Sequence, residues 1–279
     1  MKRIILCVGL ALFISPTSAI AQSESPAAAP DVVEDHEELF ARDTFRLDTV
    51  VCPFKGKIDY EPGEIECSLL QVPDNPEKPD SRFIELHVVK LNSTWDEEEA
   101  GKNEKDLEES SYNLEPGKRD DPIVYLTGGP GALVTYYIKR FKDHGIRKHR
   151  DMYILEQRGI GYSNDFCPYY NLRKPEIGNV ATFEEHLAAS FSAAVDCAVS
   201  AADHGVDLSG YNTIENARDV KALRIALGYE KWNVWGISYG TILGQAYIKT
   251  DTEGIRAVVL DANVPLDIRN NTWAWQTVK

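Results

Sequence analysis

Basic residues are scarce in this chain. Thirty Lys and Arg stand against 44 Asp and Glu, a net charge of −14, which argues against nucleic-acid or anionic-membrane binding because both need a basic surface. Long apolar runs are missing as well. The stretch from Ile4 to Ile14 is shorter than the ~20 residues that cross a bilayer, and no later segment approaches that length. There is no C-x-x-C and no histidine cluster at ligand spacing, so the common zinc frameworks are excluded. No internal repeat is visible, no dinucleotide fingerprint follows any strand candidate, and no histidine occurs after His204.

What is present begins with an export pattern. Met1-Lys2-Arg3, the apolar run, and Ala19-Ile20-Ala21 describe a signal peptide over residues 1–21, placing the mature protein in the periplasm or outside the cell. Loss of Lys2 and Arg3 takes the net charge to −16 and Cys7 leaves with them. Cys52, Cys67, Cys167 and Cys197 remain, an even number in an oxidising compartment, and are expected to form disulfides. Three pairings are open, and sequence proximity favours Cys52–Cys67 with Cys167–Cys197. Residues 22–40, rich in Ala, Pro, Ser, Asp and Glu, read as a flexible linker. Residues 94–121 carry Asp96-Glu97-Glu98-Glu99 and Glu108-Glu109 with few large apolar residues. They read as a solvated acidic insertion between two strands. The stretch lacks the alternating ligands and turn glycine of calcium loops, so no metal is expected.

Elsewhere short apolar strands alternate with helical periodicity. Strands are expected at Phe83–Leu91 (Ile84, Leu86 and Val88 on one face), Ile123–Leu126, Met152–Leu155, Trp232–Trp235 and Ala257–Leu260. Helices are expected over Leu133–Phe141, through Leu187, Phe191 and Val195, through Ala217, Val220, Leu223 and Leu227, and over Thr241–Ile248. Thr213 is the expected N-cap of the third helix and Gly228 its C-terminal stop. This alternation predicts an α/β protein with a mostly parallel sheet covered by helices on both faces. Residues 41–279 form that domain, with its ligands at the carboxyl ends of the strands.

One such end carries Gly236-Ile237-Ser238-Tyr239-Gly240 between a strand and a helix. The glycines permit a tight turn that lifts the Ser238 hydroxyl clear of the sheet at a helix N-terminus, where developing negative charge is favoured. An attacking serine also needs two oxyanion donors. The Tyr239 N–H is one, and the loop Gly128-Gly129-Pro130-Gly131 is placed to supply the other. A third motif, Glu156-Gln157-Arg158-Gly159-Ile160-Gly161-Tyr162-Ser163, follows the Met152–Leu155 strand. It reads first as a glycine turn with an arginine holding neighbouring loops, and second as a substrate contact through Arg158 or Glu156.

The order G-G-P-G, Q-R-G-x-G-x-S, G-x-S-Y-G-T and Leu260-Asp261 resembles the proline iminopeptidase and tripeptidyl-aminopeptidase-like serine peptidases of the α/β-hydrolase fold, over roughly residues 50–279. Two positions depart from that pattern: Thr127 stands where some members have His or Asn, and Glu156 where Asp is usual. The resemblance implies hydrolysis of amides near the amino end of short peptides, through an acyl-enzyme on Ser238. It also implies Gly129 and Tyr239 as backbone oxyanion donors. An esterase of the same fold would use the same residues.

In that fold the triad runs Ser, Asp or Glu, then His, yet His36, His87, His144, His149, His186 and His204 all precede Ser238. Each is expected to be structural or solvated. Asp261 follows a strand end, and a structural role is expected for it too. The chain is therefore expected to be an incomplete hydrolase domain, without its cap and last strands. Asn271-Thr272-Trp273-Ala274-Trp275 then stands where the cap would begin. Its partners are expected to be a peptide or small acyl substrate and a complementary C-terminal chain, with no cofactor. A truncated, inactive hydrolase-like protein is the non-catalytic alternative.

Overall fold

Among the described residues, seven short strands, dominated by branched and aromatic residues, pair into one sheet. They are β1 (Leu47–Val50), β2 (Ile65–Pro73), β3 (Phe83–Leu91), β4 (Ile123–Leu126), β5 (Met152–Leu155), β6 (Trp232–Ile237) and β7 (Ile255–Asp261), in spatial order β1-β2-β3-β5-β4-β6-β7. The computed structural model describes residues 45–96, 117–163, 166–167, 179 and 182–266, all inside the unit Glu37–Lys279. The expected signal peptide and linker, the middle of the acidic insertion and the Asn271–Trp275 segment lie outside the described residues.

β5, β4, β6 and β7 run parallel, while β1, β2 and β3 extend the sheet with antiparallel pairings. The sheet is thus mixed, and its parallel part carries the glycine loops. The four parallel strands are where the alternation of strand and helix holds; the first three strands follow one another without helices and pair antiparallel, as consecutive strands with short links do.

Each strand feeds two cores because alternate side chains point to opposite faces. On one face Ile84, Leu86, Val88, Val124, Leu126 and Val234 pack beneath α3 (Thr213–Leu227) and α4 (Tyr239–Thr250). On the other, Val89, Leu91, Ile123, Tyr125 and Ile154 pack beneath α1 (Val134–Phe141) and the Cys52–Ile58 loop. The two expected cysteine pairs sit at bonding distance, with Cα–Cα separations of 5.2 Å for Cys52–Cys67 and 5.3 Å for Cys167–Cys197. The ends of the acidic insertion meet at Asp151, which accepts from Ser93 N at 2.7 Å and pairs with Lys118 at 2.9 Å.

One local expectation is corrected. The N-cap of α3 is Asn212, not Thr213: the Asn212 backbone is extended, and its Oδ1 accepts from Ile214 N at 2.9 Å and Glu215 N at 3.0 Å. Thr213 is already helical and pairs its hydroxyl with Tyr239 Oη at 3.1 Å. The expected helix α2 (Phe183–Asp203) forms as its periodicity predicts and begins with a Thr182–Glu185 capping box. Its apolar stripe does not face the core, however. Leu187, Phe191 and Val195 are 59%, 71% and 44% exposed, and the helix buries Ala193 and Ala201 instead. Small side chains permit the closer approach on that side, and Cys197 tethers it to Cys167.

Candidate active site

β6 ends at Ile237 and α4 begins at Tyr239, leaving Ser238 alone to turn the chain. Its backbone angles are φ 53 and ψ −120, a region that residues with a Cβ occupy only when the surroundings hold them there. Those surroundings are visible. Ser238 N–H donates to the Asp261 carbonyl at 3.1 Å, and Ser238 O accepts from Thr241 N at 2.8 Å and Thr241 Oγ1 at 2.6 Å. The side chain itself is exposed.

The flanking glycines are required by close approach. A Cβ on Gly236 would land on the carbonyl oxygen of Gly240, and one on Gly240 would land on that of Leu126. The elbow is thereby pressed against the end of β4, where the glycine loop begins. A Cβ on Gly128 would stand 3.3 Å from Ser238 Cβ and 3.2 Å from Ile237 O, so the structure brings this loop directly against the serine. Gly128 N–H is already donated to Tyr137 Oη at 3.1 Å. Gly129, with φ 112, follows in a conformation that a side chain would strain, since its Cβ would stand 2.8 Å from Gly131 N. Tyr239, the first residue of α4, presents one of the four N–H groups that a helix cannot satisfy internally.

The third motif packs beside this pair. Gln157 Nε2 donates to Thr127 Oγ1 at 3.1 Å and Thr127 O at 3.3 Å, fixing the residue before the glycine loop. Arg158 is buried and committed: Nε and Nη2 grip Asp219 at 2.8 and 2.6 Å, and Nη1 donates to Asp74 O and Gly210 O at 2.7 and 2.9 Å. Burial pushes the Asp219 carboxyl up from its ordinary range, and the Arg158 guanidinium opposes that push. Arg158 thus holds β2, α3 and the turn before it together, as the first reading of the motif expected. Glu156 is buried too and accepts from Val134 N and Tyr162 N.

The histidines occupy other settings. His144 caps a short helical turn, His149 contacts Gly117 O and the Trp95 ring, and His204 ends α2. His186 lies exposed on α2, and His36 is outside the described residues. His87 is buried between Phe54 and Tyr162, and neither ring nitrogen has a hydrogen-bond partner among the described residues. Asp261 contributes its backbone carbonyl to the elbow. Among the described residues no group of three or more His, Cys, Asp or Glu is arranged to hold a metal ion, and no helix is long and apolar enough to cross a membrane.

Tyr137 and Thr241 are site residues that the motifs alone did not single out. Thr241 has a usable signal, since it closes G-x-S-Y-G-T. Tyr137 has none, because only the fold swings α1 back over the glycine loop.

The chain is similar to the tripeptidyl aminopeptidase of Streptomyces lividans, 26% identical over 212 residues that cover 73% of this chain and 36% of the relative. It is 25% identical to the serine protease Hip1 of Mycobacterium tuberculosis, over 73% of this chain and 36% of the relative. The proline iminopeptidase of Xylella fastidiosa (strain 9a5c) is 28% identical over 139 residues, 50% of this chain and 31% of the relative. The chain therefore spans about a third of the length of these curated relatives. Among solved structures, an epoxide hydrolase from Vigna radiata superposes with a TM-score of 0.38 at 15% identity, covering 72% of this chain and 39% of the other. A family model described as the alpha/beta hydrolase fold matches residues 121–277, more than half the sequence and every glycine loop described above, and the chain is a member of that family.

Proposed function

We propose that the protein is an exported serine hydrolase acting as an aminopeptidase on short peptides, with Ser238 as nucleophile. The observation that carries this reading is the elbow itself: a serine at φ 53 and ψ −120, immediately before the first residue of α4, with the Gly128 backbone against it. Attack of Ser238 Oγ on an amide carbonyl carbon forms a tetrahedral oxyanion. Gly129 N–H and Tyr239 N–H are the proposed donors to it, and loss of one such donor costs about 3 kcal/mol of transition-state stabilisation. The hydroxyl proton must pass to a base and then to the departing amine, after which water releases the acyl group. His87, His144, His149 and His204 make their contacts away from the elbow. The base is proposed to come from a complementary polypeptide; the match to the tripeptidyl aminopeptidase of Streptomyces lividans covers 36% of that relative. Export is supported by the N-terminal pattern and the two cysteine pairs.

A fluorophosphonate probe tests the nucleophile. Labelling at Ser238, lost in Ser238→Ala, is expected for the chain alone or on addition of a complementary C-terminal polypeptide. Labelling that survives Ser238→Ala, or none under either condition, would sink the reading. Amino-acyl anilides and short acyl esters then separate the chemistries, and turnover of esters alone would replace the aminopeptidase with an esterase.

A further inference from the structure

We propose that Glu156 is the positioning residue of the oxyanion loop. The inference deepens the function proposed above and rests on it for its catalytic meaning.

The Glu156 side chain is fully buried, at the end of β5 and beside the elbow rather than in it. One carboxylate oxygen, Oε1, accepts from Val134 N at 3.0 Å; the other, Oε2, accepts from Tyr162 N at 2.7 Å. Val134 is the first residue of α1 and lies three residues beyond Gly131. Leu133, which precedes it, makes no side-chain cap, so Glu156 performs the capping task from a distant strand. An anion there is also favoured by the helix dipole. Tyr162 belongs to the neighbouring turn, whose Ile160 side chain lies 3.9 Å from where a Cβ on Gly131 would be. A single carboxylate therefore fastens both walls of one loop pair: the exit of Gly128–Gly131 and the turn that abuts it.

The backbone of Glu156 is fixed in turn. Its N–H donates to His87 O at 2.9 Å, and its carbonyl accepts from Ser163 Oγ at 2.7 Å. Ser163 Oγ also accepts from His87 N at 2.8 Å. The clamp is thus anchored to β3, a strand that contributes nothing to the elbow. Gly161, at φ 57, is shaped to it, because a Cβ there would land on the carboxylate. A group placed to receive two charge-assisted hydrogen bonds from two loops fixes their relative position more tightly than either loop's own turn. Oxyanion donors require that kind of positioning.

The test compares the whole chain with Glu156→Gln and Gly161→Ala. Glutamine keeps the shape but can accept from only one of the two N–H groups, while Gly161→Ala pushes the carboxylate aside without removing it. Amide hydrogen exchange is read by peptide. In both variants, exchange over residues 128–136 or 159–163 is expected to rise about tenfold, the size of one lost charge-assisted bond, with residues 236–245 unchanged. Where Ser238 labels with fluorophosphonate, the labelling rate is expected to fall by a similar factor while melting shifts little. Unchanged exchange in both loops overturns the proposal. So does exchange that rises uniformly across the sheet, or open loops with undiminished labelling. If the wild-type chain labels neither alone nor with a complementary polypeptide, the Ser238 reading fails on its own, and loop exchange still decides whether Glu156 is the clamp.

Discussion

Ser238 holds its strained backbone because three groups that are not its own side chain hold it: the Asp261 carbonyl, Thr241, and the glycine pair that lets α4 meet the end of β4. The glycines carry the sharpest prediction at this scale. Gly240→Ala places a methyl group on the Leu126 carbonyl, and overpacking of backbone on backbone is expected to cost about 2–3 kcal/mol or to prevent folding. Urea denaturation checks it, and a midpoint equal to wild type would contradict the close approach. Arg158 makes a second prediction. Arg158→Ala leaves Asp219 buried without its partner and is expected to cost about 3–5 kcal/mol, measured the same way. A loss under about 1 kcal/mol would mean that the pair contributes little beyond its own desolvation.

At the scale of elements, the strands and helices were legible because their apolar periods are clean and their ends carry strong punctuation. Gly228 stops α3 in the left-handed conformation that its position after Leu227 implied. The nearest miss lay one residue away, at Asn212, since asparagine and threonine both cap and only the backbone angle tells them apart. Which side of α2 is buried was not legible at all. A repeat of four in Leu187, Phe191 and Val195 defines a helix face but says nothing about what stands opposite it, and here the buried side is the alanine side. That distinction is measurable. Phe191→Ser is expected to change stability by no more than about 0.5 kcal/mol, whereas a core phenylalanine would cost about 3–5 kcal/mol on truncation. A large loss would show that the stripe is covered within the chain.

At the scale of the whole molecule, pH acts through His87. Burial lowers its pKa to about 4, from an ordinary value of ~6.5. The nearby Glu156 carboxylate, 3.9 Å from Nδ1, is committed to two N–H groups. Between these two values the unfolded chain takes up the proton more readily than the native one. The contribution to stability is therefore full above about pH 6.5 and is lost as the pH falls towards 4, by an amount on the order of 3 kcal/mol. Melting temperature followed from pH 7 to 4 should fall less steeply in His87→Leu than in wild type, and equal slopes would remove His87 from the account. The motifs made the serine elbow and its glycine loop legible. The long-range ties of His87, Glu156 and Tyr137 were not, because they depend on β3, β5 and α1 being brought together from distant parts of the chain.

The close contact of Gly240 with the Leu126 carbonyl has one more consequence. It leaves no slack between helix and sheet, so the serine oxygen inherits the stiffness of the central strands rather than the mobility of the surface loops around it. A hydroxyl mounted in this way has a fixed address. Changes in those loops, or in whatever polypeptide comes to stand over them, would alter how reactive the group is and what can reach it, while its position stays where the core has set it.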